Sequence, residues 1–103
     1  MRFMMKIRIP IDKGNAALKD PEYGHKMGKL LGEIKAEAAY FSTLNGQRGA
    51  YLIVNMDDAS QMAAIAEPFF LWLNCDIEWE PVMLPQDLQR GGPGIEAAVK
   101  NWA

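Results

Sequence analysis

Hydrophobic and polar residues alternate over the first eleven positions, a pattern typical of a strand that packs one face on a core. The apolar positions of this run are Phe3, Met5, Ile7, Ile9 and Ile11, and Arg2, Met4, Lys6 and Arg8 lie between them. Asp12-Lys13-Gly14-Asn15 has the composition of a turn. We therefore predict a first strand over residues 2–11 and a turn after it.

A helix is predicted over residues 20–38. Asp20-Pro21-Glu22 supplies an N-cap acceptor, a proline that suits the first helical position and an acid in the first turn. The apolar residues that follow recur at helical spacing; they are Tyr23, Met27, Leu30, Ile34 and Ala38.

A hairpin is predicted next, because Tyr40–Leu44 and Ala50–Met56 are rich in strand formers and flank a loop over residues 45–49 that begins Asn-Gly. In its second strand, Tyr51 and Ile53 alternate with apolar neighbours, so both faces of that strand need cover.

A second helix should begin at Asp57-Asp58, with Pro68 distorting its last turn. Its buried stripe would be Met62, Ile65, Ala66 and Phe69. A fourth strand is predicted over Leu73–Val82, with Cys75, Ile77 and Trp79 on one side and Asn74, Asp76, Glu78 and Glu80 on the other. Residues 85–93 are expected to form a connector, and Ile95, Ala98, Val99 and Trp102 predict a short amphipathic C-terminal helix.

The resulting order of strand, helix, strand, strand, helix, strand is the ferredoxin-like α+β pattern, with a four-stranded antiparallel sheet. In that topology the first strand is central with the fourth antiparallel beside it, and right-handed crossovers place both helices on one face. We expect a domain over residues 1–84. Residues 85–103 are expected to dock on a partner copy, since a short isolated helix is not stable without a docking surface.

One local stretch carries a family resemblance: Ala66-Glu67-Pro68-Phe69-Phe70-Leu71-Trp72-Leu73-Asn74 followed by Glu78-Trp79-Glu80-Pro81-Val82-Met83. Together with the element order over residues 1–84, it is similar to small uncharacterised bacterial members of the dimeric α+β barrel superfamily. The resemblance implies a homodimer whose two sheets face each other. That superfamily includes muconolactone isomerases, antibiotic-biosynthesis monooxygenases, haem-dependent enzymes and members of no known activity, so fold alone does not give function.

Composition and charge argue against several classes of protein. The formal net charge of the 103 residues is −2 without a basic block, which argues against nucleic-acid binding. Ala50 and Leu52 also stand where an RNA-recognition fold of this type needs aromatic residues. Neither a membrane span nor a signal peptide is expected, and the single cysteine, Cys75, fits the reducing cytoplasm.

Three residues are predicted as catalytic candidates. His25 is the only histidine and titrates near neutral pH, although a rim histidine is the simpler interpretation. Arg8 and Glu78 belong to opposed charged rows on neighbouring strands. Exposed, those rows would be ordinary cross-strand ion pairs; enclosed in a dimer, they could bind or protonate a polar substrate.

The first predicted helix has a stripe of small residues, Gly24, Gly28, Gly32 and Ala36, at spacings of four. The stripe allows either close backbone packing or a cavity for a small apolar ligand with His25 at its mouth. We predict Gly28, Gly32, Tyr51, Trp72 and Trp79 as ligand-binding residues, although aromatic residues are more often core. No metal site is expected from one histidine and one cysteine, and no cofactor is predicted; haem would have His25 as its only histidine ligand.

Three functions remain open at this point. The first is a cofactor-independent isomerase or monooxygenase acting on a small cyclic or aromatic molecule. The second is a non-catalytic module that binds a small apolar or aromatic ligand. The third is a purely structural homodimer.

Overall fold

A computed structural model describes residues 1–103 as an α+β fold with one four-stranded antiparallel sheet and five helices. The strands are β1 (Arg2–Arg8), β2 (Ala38–Leu44), β3 (Gln47–Asn55) and β4 (Asp76–Pro81). The helices are α1 (Ile11–Leu18), α2 (Tyr23–Glu33), α3 (Gln61–Leu73), α4 (Pro85–Arg90) and α5 (Gly92–Trp102). None of the helices is long and apolar enough to span a membrane.

The strand order is β2-β3-β1-β4, and every neighbouring pair is antiparallel. This confirms the predicted antiparallel sheet, with β4 antiparallel beside a central β1. The arrangement is compatible with a ferredoxin-like fold, and α1, α4 and α5 are additions to a plain βαββαβ chain.

The core lies between one face of the sheet and the helices α2 and α3. It contains alternate residues of the two central strands together with inward-facing residues of the helices, such as Met5, Leu52, Met27, Leu30 and Phe69. Phe3, Ile77 and Trp79 pack against it and Cys75 is buried within it, as the alternation predicts. The opposite face of the sheet contributes no residue to this core. The helix α4 borders one end of that face, where Asp87 and Arg90 share a cleft with Arg2 and Asn55.

The first correction concerns residues 11–18, which form α1 rather than the end of a strand and a turn. Pro10 has no N–H for the sheet ladder, so β1 stops before it. Asp12 then lies in the first turn of a helix, where a negative charge is favourable, and Ala16, Ala17 and Leu18 are strong helix formers.

The helix predicted over 20–38 is shorter at both ends. The Asp20 carboxylate accepts a hydrogen bond from the Glu22 backbone N–H at 2.9 Å and caps a turn, and α2 begins at Tyr23. Lys35 has a left-handed backbone with φ 52°, and the Ala36 N–H donates to the Leu31 carbonyl at 3.2 Å. This pattern closes a helix C-terminus and lets β2 begin at Ala38.

Further boundaries differ from the prediction. The hairpin strands begin earlier, β2 at Ala38 rather than Tyr40 and β3 at Gln47 rather than Ala50, so the loop comprises residues 45–46 and not 45–49. The helix α3 begins at Gln61 rather than at Asp57-Asp58, and continues five residues past Pro68 to Leu73. Asn74, with φ 53°, ends it, so β4 starts at Asp76 instead of Leu73.

Within the expected connector over residues 85–93, Pro85–Arg90 forms the helix α4 and not a run of turns. Pro85 occupies the first helical position, and the Asp87 carboxylate accepts a hydrogen bond from the Leu84 N–H at 2.8 Å. Proline and aspartate therefore begin a helix here instead of a turn. The predicted C-terminal helix is present as α5.

Candidate functional site

The uncovered face of the sheet, here called the open face, is organised in three rows that cross all four strands. Antiparallel partners in register lie on the same face, with side chains about 4.5–5.5 Å apart. The tyrosine row is Tyr40, Tyr51, Lys6 and Glu78; the arginine row is Ser42, Gly49, Arg8 and Asp76; the isoleucine row is Ala38, Ile53, Met4 and Glu80.

The β1–β4 half of the open face is ionic. The Arg8 guanidinium contacts two carboxylates, Asp76 through Nε at 2.7 Å and Glu78 through Nη2 at 2.7 Å. The Lys6 ammonium donates to Glu80 at 2.6 Å. Although these groups lie on an open surface, the Arg8 side chain, in contact with both carboxylates, is only 15% exposed.

These contacts also shift the pKa values of the charged groups. Hydrogen bonding to Glu78 raises the pKa of Arg8, and hydrogen bonding to Glu80 raises the pKa of Lys6. The hydrogen bond from Arg8, followed by its charge, lowers the pKa of Glu78. All three groups are therefore held in their charged forms near neutral pH, and Glu78 is a weak base.

The β2–β3 half of the open face is aromatic and aliphatic. Tyr40 and Tyr51 lie directly opposite each other, and Ile53 and Met4 are neighbours in the adjacent row. Tyr40 is 66% exposed and the other three are half-buried. One surface thus offers two aromatic rings beside a row of fixed charges.

The three predicted residues Arg8, Glu78 and Tyr51 therefore come together on the open face. Lys6 and Tyr40 join them but were not among the predicted site residues. The Asn45-Gly46 pair could have identified Tyr40, since a two-residue hairpin loop fixes the register that places Tyr40 opposite Tyr51.

His25 and the small-residue stripe are located elsewhere. His25, Gly28 and Gly32 are exposed on α2, which covers the other face of the sheet. Within one chain the structure does not bring His25 near Arg8 or Glu78. A Cβ built at Gly24, Gly28 or Gly32 meets nothing within 4 Å, so within this chain the stripe neither packs closely nor borders a cavity.

The two predicted tryptophans lie on the helix side of the sheet, at separate places. Trp72 of α3 packs on Tyr23 with ring centroids 5.5 Å apart, and Trp79 of β4 meets the edge of Phe3 at 6.0 Å. Both are half-buried beside the core. Of the predicted ligand-binding residues, Tyr51 thus lies on the open face, Gly28 and Gly32 lie on the exposed side of α2, and the two tryptophans lie on the helix side of the sheet.

Other groups add little chemistry. Burial raises the pKa of the Cys75 thiol to about 12, which makes it inert near neutral pH. Histidine, cysteine and acidic residues nowhere form a group of three or more that could hold a metal ion. A cleft of about 580 Å³ lies beside α4 and is lined by Met1, Arg2, Asn55, Pro81, Val82, Met83, Asp87 and Arg90.

No protein-family model matches the chain, and comparison with curated proteins finds none that is similar. The function is therefore inferred from the geometry of the open face.

Proposed function

We propose that the protein is a homodimer of dimeric α+β barrel type that binds a small cyclic or aromatic molecule between the open faces of its two sheets. The single observation that carries this proposal is the tyrosine row, which brings Tyr40, Tyr51, Lys6 and Glu78 side by side on a face that no helix covers.

The dimer is supported by the composition of the open face. Sheets with one solvated face usually present polar residues there. Here Tyr40, Tyr51, Ile53 and Met4 form an apolar patch that remains accessible in one chain. A second copy related by a two-fold axis would cover the patch with the same patch, since such an interface is self-complementary.

The class of ligand follows from the two halves of the face. An apolar ring can stack on the tyrosines, because aromatic pairs prefer offset or edge-to-face contact. A polar substituent on the ring can then reach the ammonium of Lys6 or the carboxylate of Glu78, which fix its orientation. Small-molecule sites commonly combine apolar walls with a few polar groups in this way.

As an activity, the proposal assigns cofactor-independent isomerisation or monooxygenation of such a molecule. Both would proceed through a substrate anion, and a cation beside the reacting group lowers the energy of a developing negative charge. Lys6 supplies that cation in a form that stays protonated, since Glu80 raises its pKa. A cytoplasmic location belongs to the same proposal, supported by a fold that uses no disulfide.

The experiment is a binding titration with catechol and hydroquinone as probes, followed by calorimetry or by native mass spectrometry. Tyr51→Leu removes one ring of the tyrosine row, and we expect it to weaken probe binding at least tenfold. His25→Ala is the matched control, because His25 lies on the helix layer. Full binding by Tyr51→Leu, or no probe binding by the wild-type protein, would refute the proposed ligand site.

Activity is measured separately, as oxygen uptake with hydroquinone and as proton exchange on an enolisable cyclic ketone. The proposed activity requires turnover that Lys6→Met reduces while probe binding persists. Binding without turnover in either assay would leave a non-catalytic binding module, the second function open from the sequence.

A further inference from the structure

The last two helices form an arm that does not pack into the domain. No residue of α4 or α5 is buried, and neither helix packs extensively against another element of the chain. The molecule measures 58 × 28 × 20 Å with a radius of gyration of 17.3 Å. A compact chain of this length would have a radius of gyration of about 13 Å, so the arm extends well away from the sheet.

The arm carries an apolar stripe that its own chain leaves exposed. Leu88 of α4 and Ile95, Val99 and Trp102 of α5 are all more than half exposed, and Trp102 reaches 89%. Helices of 6 and 11 residues are too short to be stable without tertiary packing. The stripe therefore needs a protein surface to cover it.

The domain has a groove that matches α5 in length and in polarity. The groove runs between α3 and β4, has a volume of about 390 Å³ and is lined mainly by Ala59, Met62, Ala63, Ala66, Phe70 and Trp79. The groove extends from Ala59, two residues before α3, to Phe70; its helical part from Gln61 to Phe70 rises about 14 Å, and the eleven residues of α5 span about 16 Å. Small alanines along the groove let a helix approach closely.

We propose that α5 of each copy lies in the α3–β4 groove of a second copy, so that the two chains exchange their arms. This inference rests on the proposed face-to-face homodimer. Because α5 itself lies in the groove, the link to it consists of residues 82–84 and α4, which together can span about 19 Å. This is close to the distance of about 20 Å across one packed sheet and the helix layer beyond it. When each copy places its arm on the other, both apolar stripes are covered and the assembly is a closed dimer.

The charge of the arm favours a protein partner over a membrane. Asp87 and Glu96 balance Arg90 and Lys100, whereas helices that lie on anionic lipid are rich in basic residues. The stripe is also large enough to contribute to a stable interface. Trp102 alone would bury roughly 150–250 Å², a large share of the about 800 Å² per partner in a standard interface.

The test is a disulfide between copies. Val99→Cys chains are co-expressed with Ala63→Cys chains, purified, oxidised and separated on a non-reducing gel. Cys75 does not interfere, because it is buried and burial raises its thiol pKa to about 12. We expect a covalent pair that contains one chain of each kind, and no covalent pair from either variant expressed alone.

Two results would overturn the exchange. One is the absence of the mixed covalent pair. The other is a double variant carrying both cysteines whose disulfide forms within a single chain, which would mean that α5 folds back on its own groove. Light scattering on the same samples separates the two proposals: a mass of two chains without the mixed disulfide refutes only the arm exchange, and a mass of one chain refutes the dimer.

A second readout is the dimer dissociation constant. Trp102→Ala should raise it at least tenfold, because the largest side chain of the stripe is lost. Lys100→Ala, on the opposite side of α5, should leave it within twofold of the wild type. Equal dissociation constants for Trp102→Ala and the wild type would contradict a role for the arm in assembly.

Discussion

At the scale of single residues, the open face depends on Arg8, which is held between two carboxylates. Asp76 lies directly opposite it in the sheet and Glu78 two residues further along β4, and both contacts are 2.7 Å. The sequence predicted the opposed charges from strand alternation alone. It could not predict that Arg8 pairs with both Asp76 and Glu78 while Lys6 pairs with Glu80. That choice depends on side-chain length and on contacts between residues that are diagonal neighbours in the sheet.

The first residue-scale prediction concerns acid stability. The pKa of Glu78 is lower in the folded protein than in the unfolded chain, so its pairing stabilises the fold above the unfolded pKa. That contribution is lost as the pH falls through the folded pKa. Glu78→Gln should therefore show a smaller decrease in Tm between pH 5 and pH 3 than the wild type. Glu96→Gln, which removes an exposed glutamate without an ion-pair partner, is the control, and equal slopes for Glu78→Gln and wild type would count against the pairing.

The second residue-scale prediction contrasts two glycines. A Cβ at Gly49 would collide with the Ile7 carbonyl oxygen and the Leu44 side chain, whereas a Cβ at Gly28 meets open space. Gly49→Ala should destabilise the protein by about 1–3 kcal/mol, as overpacking does, and Gly28→Ala should stabilise it by about 1 kcal/mol as a helix-interior glycine. Urea unfolding measures both. A destabilising Gly28→Ala would show instead that the α2 stripe packs closely against something.

At the scale of elements, the alternating pattern predicted where the strands lie, and turn composition was misleading. Asp12-Lys13-Gly14-Asn15 and Pro85-Gln86-Asp87 resemble loops, yet both lie in helices. Proline and aspartate favour turns and helix N-termini alike, so local composition does not distinguish the two. The helical spacing of apolar residues continues beyond Lys35, where the chain leaves the helix. Periodicity could not predict that end, because it does not indicate which residue adopts a left-handed backbone.

The element-scale prediction concerns the β2–β3 turn. Asn45 and Gly46 have φ of 51° and 78°, the signature of a two-residue hairpin turn that needs positive φ at both positions. Gly46→Ala should cost about 1–2 kcal/mol, because a Cβ disfavours that conformation. Thermal unfolding checks the loss, and an unchanged Tm would indicate that the turn is not built as described. Since this turn sets the register of Tyr40 with Tyr51, probe binding should weaken as well.

At the scale of the whole molecule, one chain leaves two apolar surfaces uncovered. The open face presents the tyrosine row, and the arm presents Leu88, Ile95, Val99 and Trp102. The need for a partner could be argued from sequence, since both faces of β3 are apolar. The sequence also predicted three residues of the open face, Arg8, Glu78 and Tyr51. It placed His25 and the glycine stripe in the same site, although these lie on α2, on the other side of the sheet, because a sequence pattern does not show which face of the sheet a helix covers.

The central claim is that two copies meet through their open faces, and sedimentation equilibrium of two adjacent variants tests it most directly. Tyr40 and Phe41 are neighbours on β2 with similar exposure, 66% and 60%, but they point to opposite faces of the sheet. We predict a mass of twice 11.5 kDa for the wild type and for Phe41→Glu, and a single chain of 11.5 kDa for Tyr40→Glu. A Tyr40→Glu protein that stays dimeric, or a wild type that is monomeric, would contradict the account.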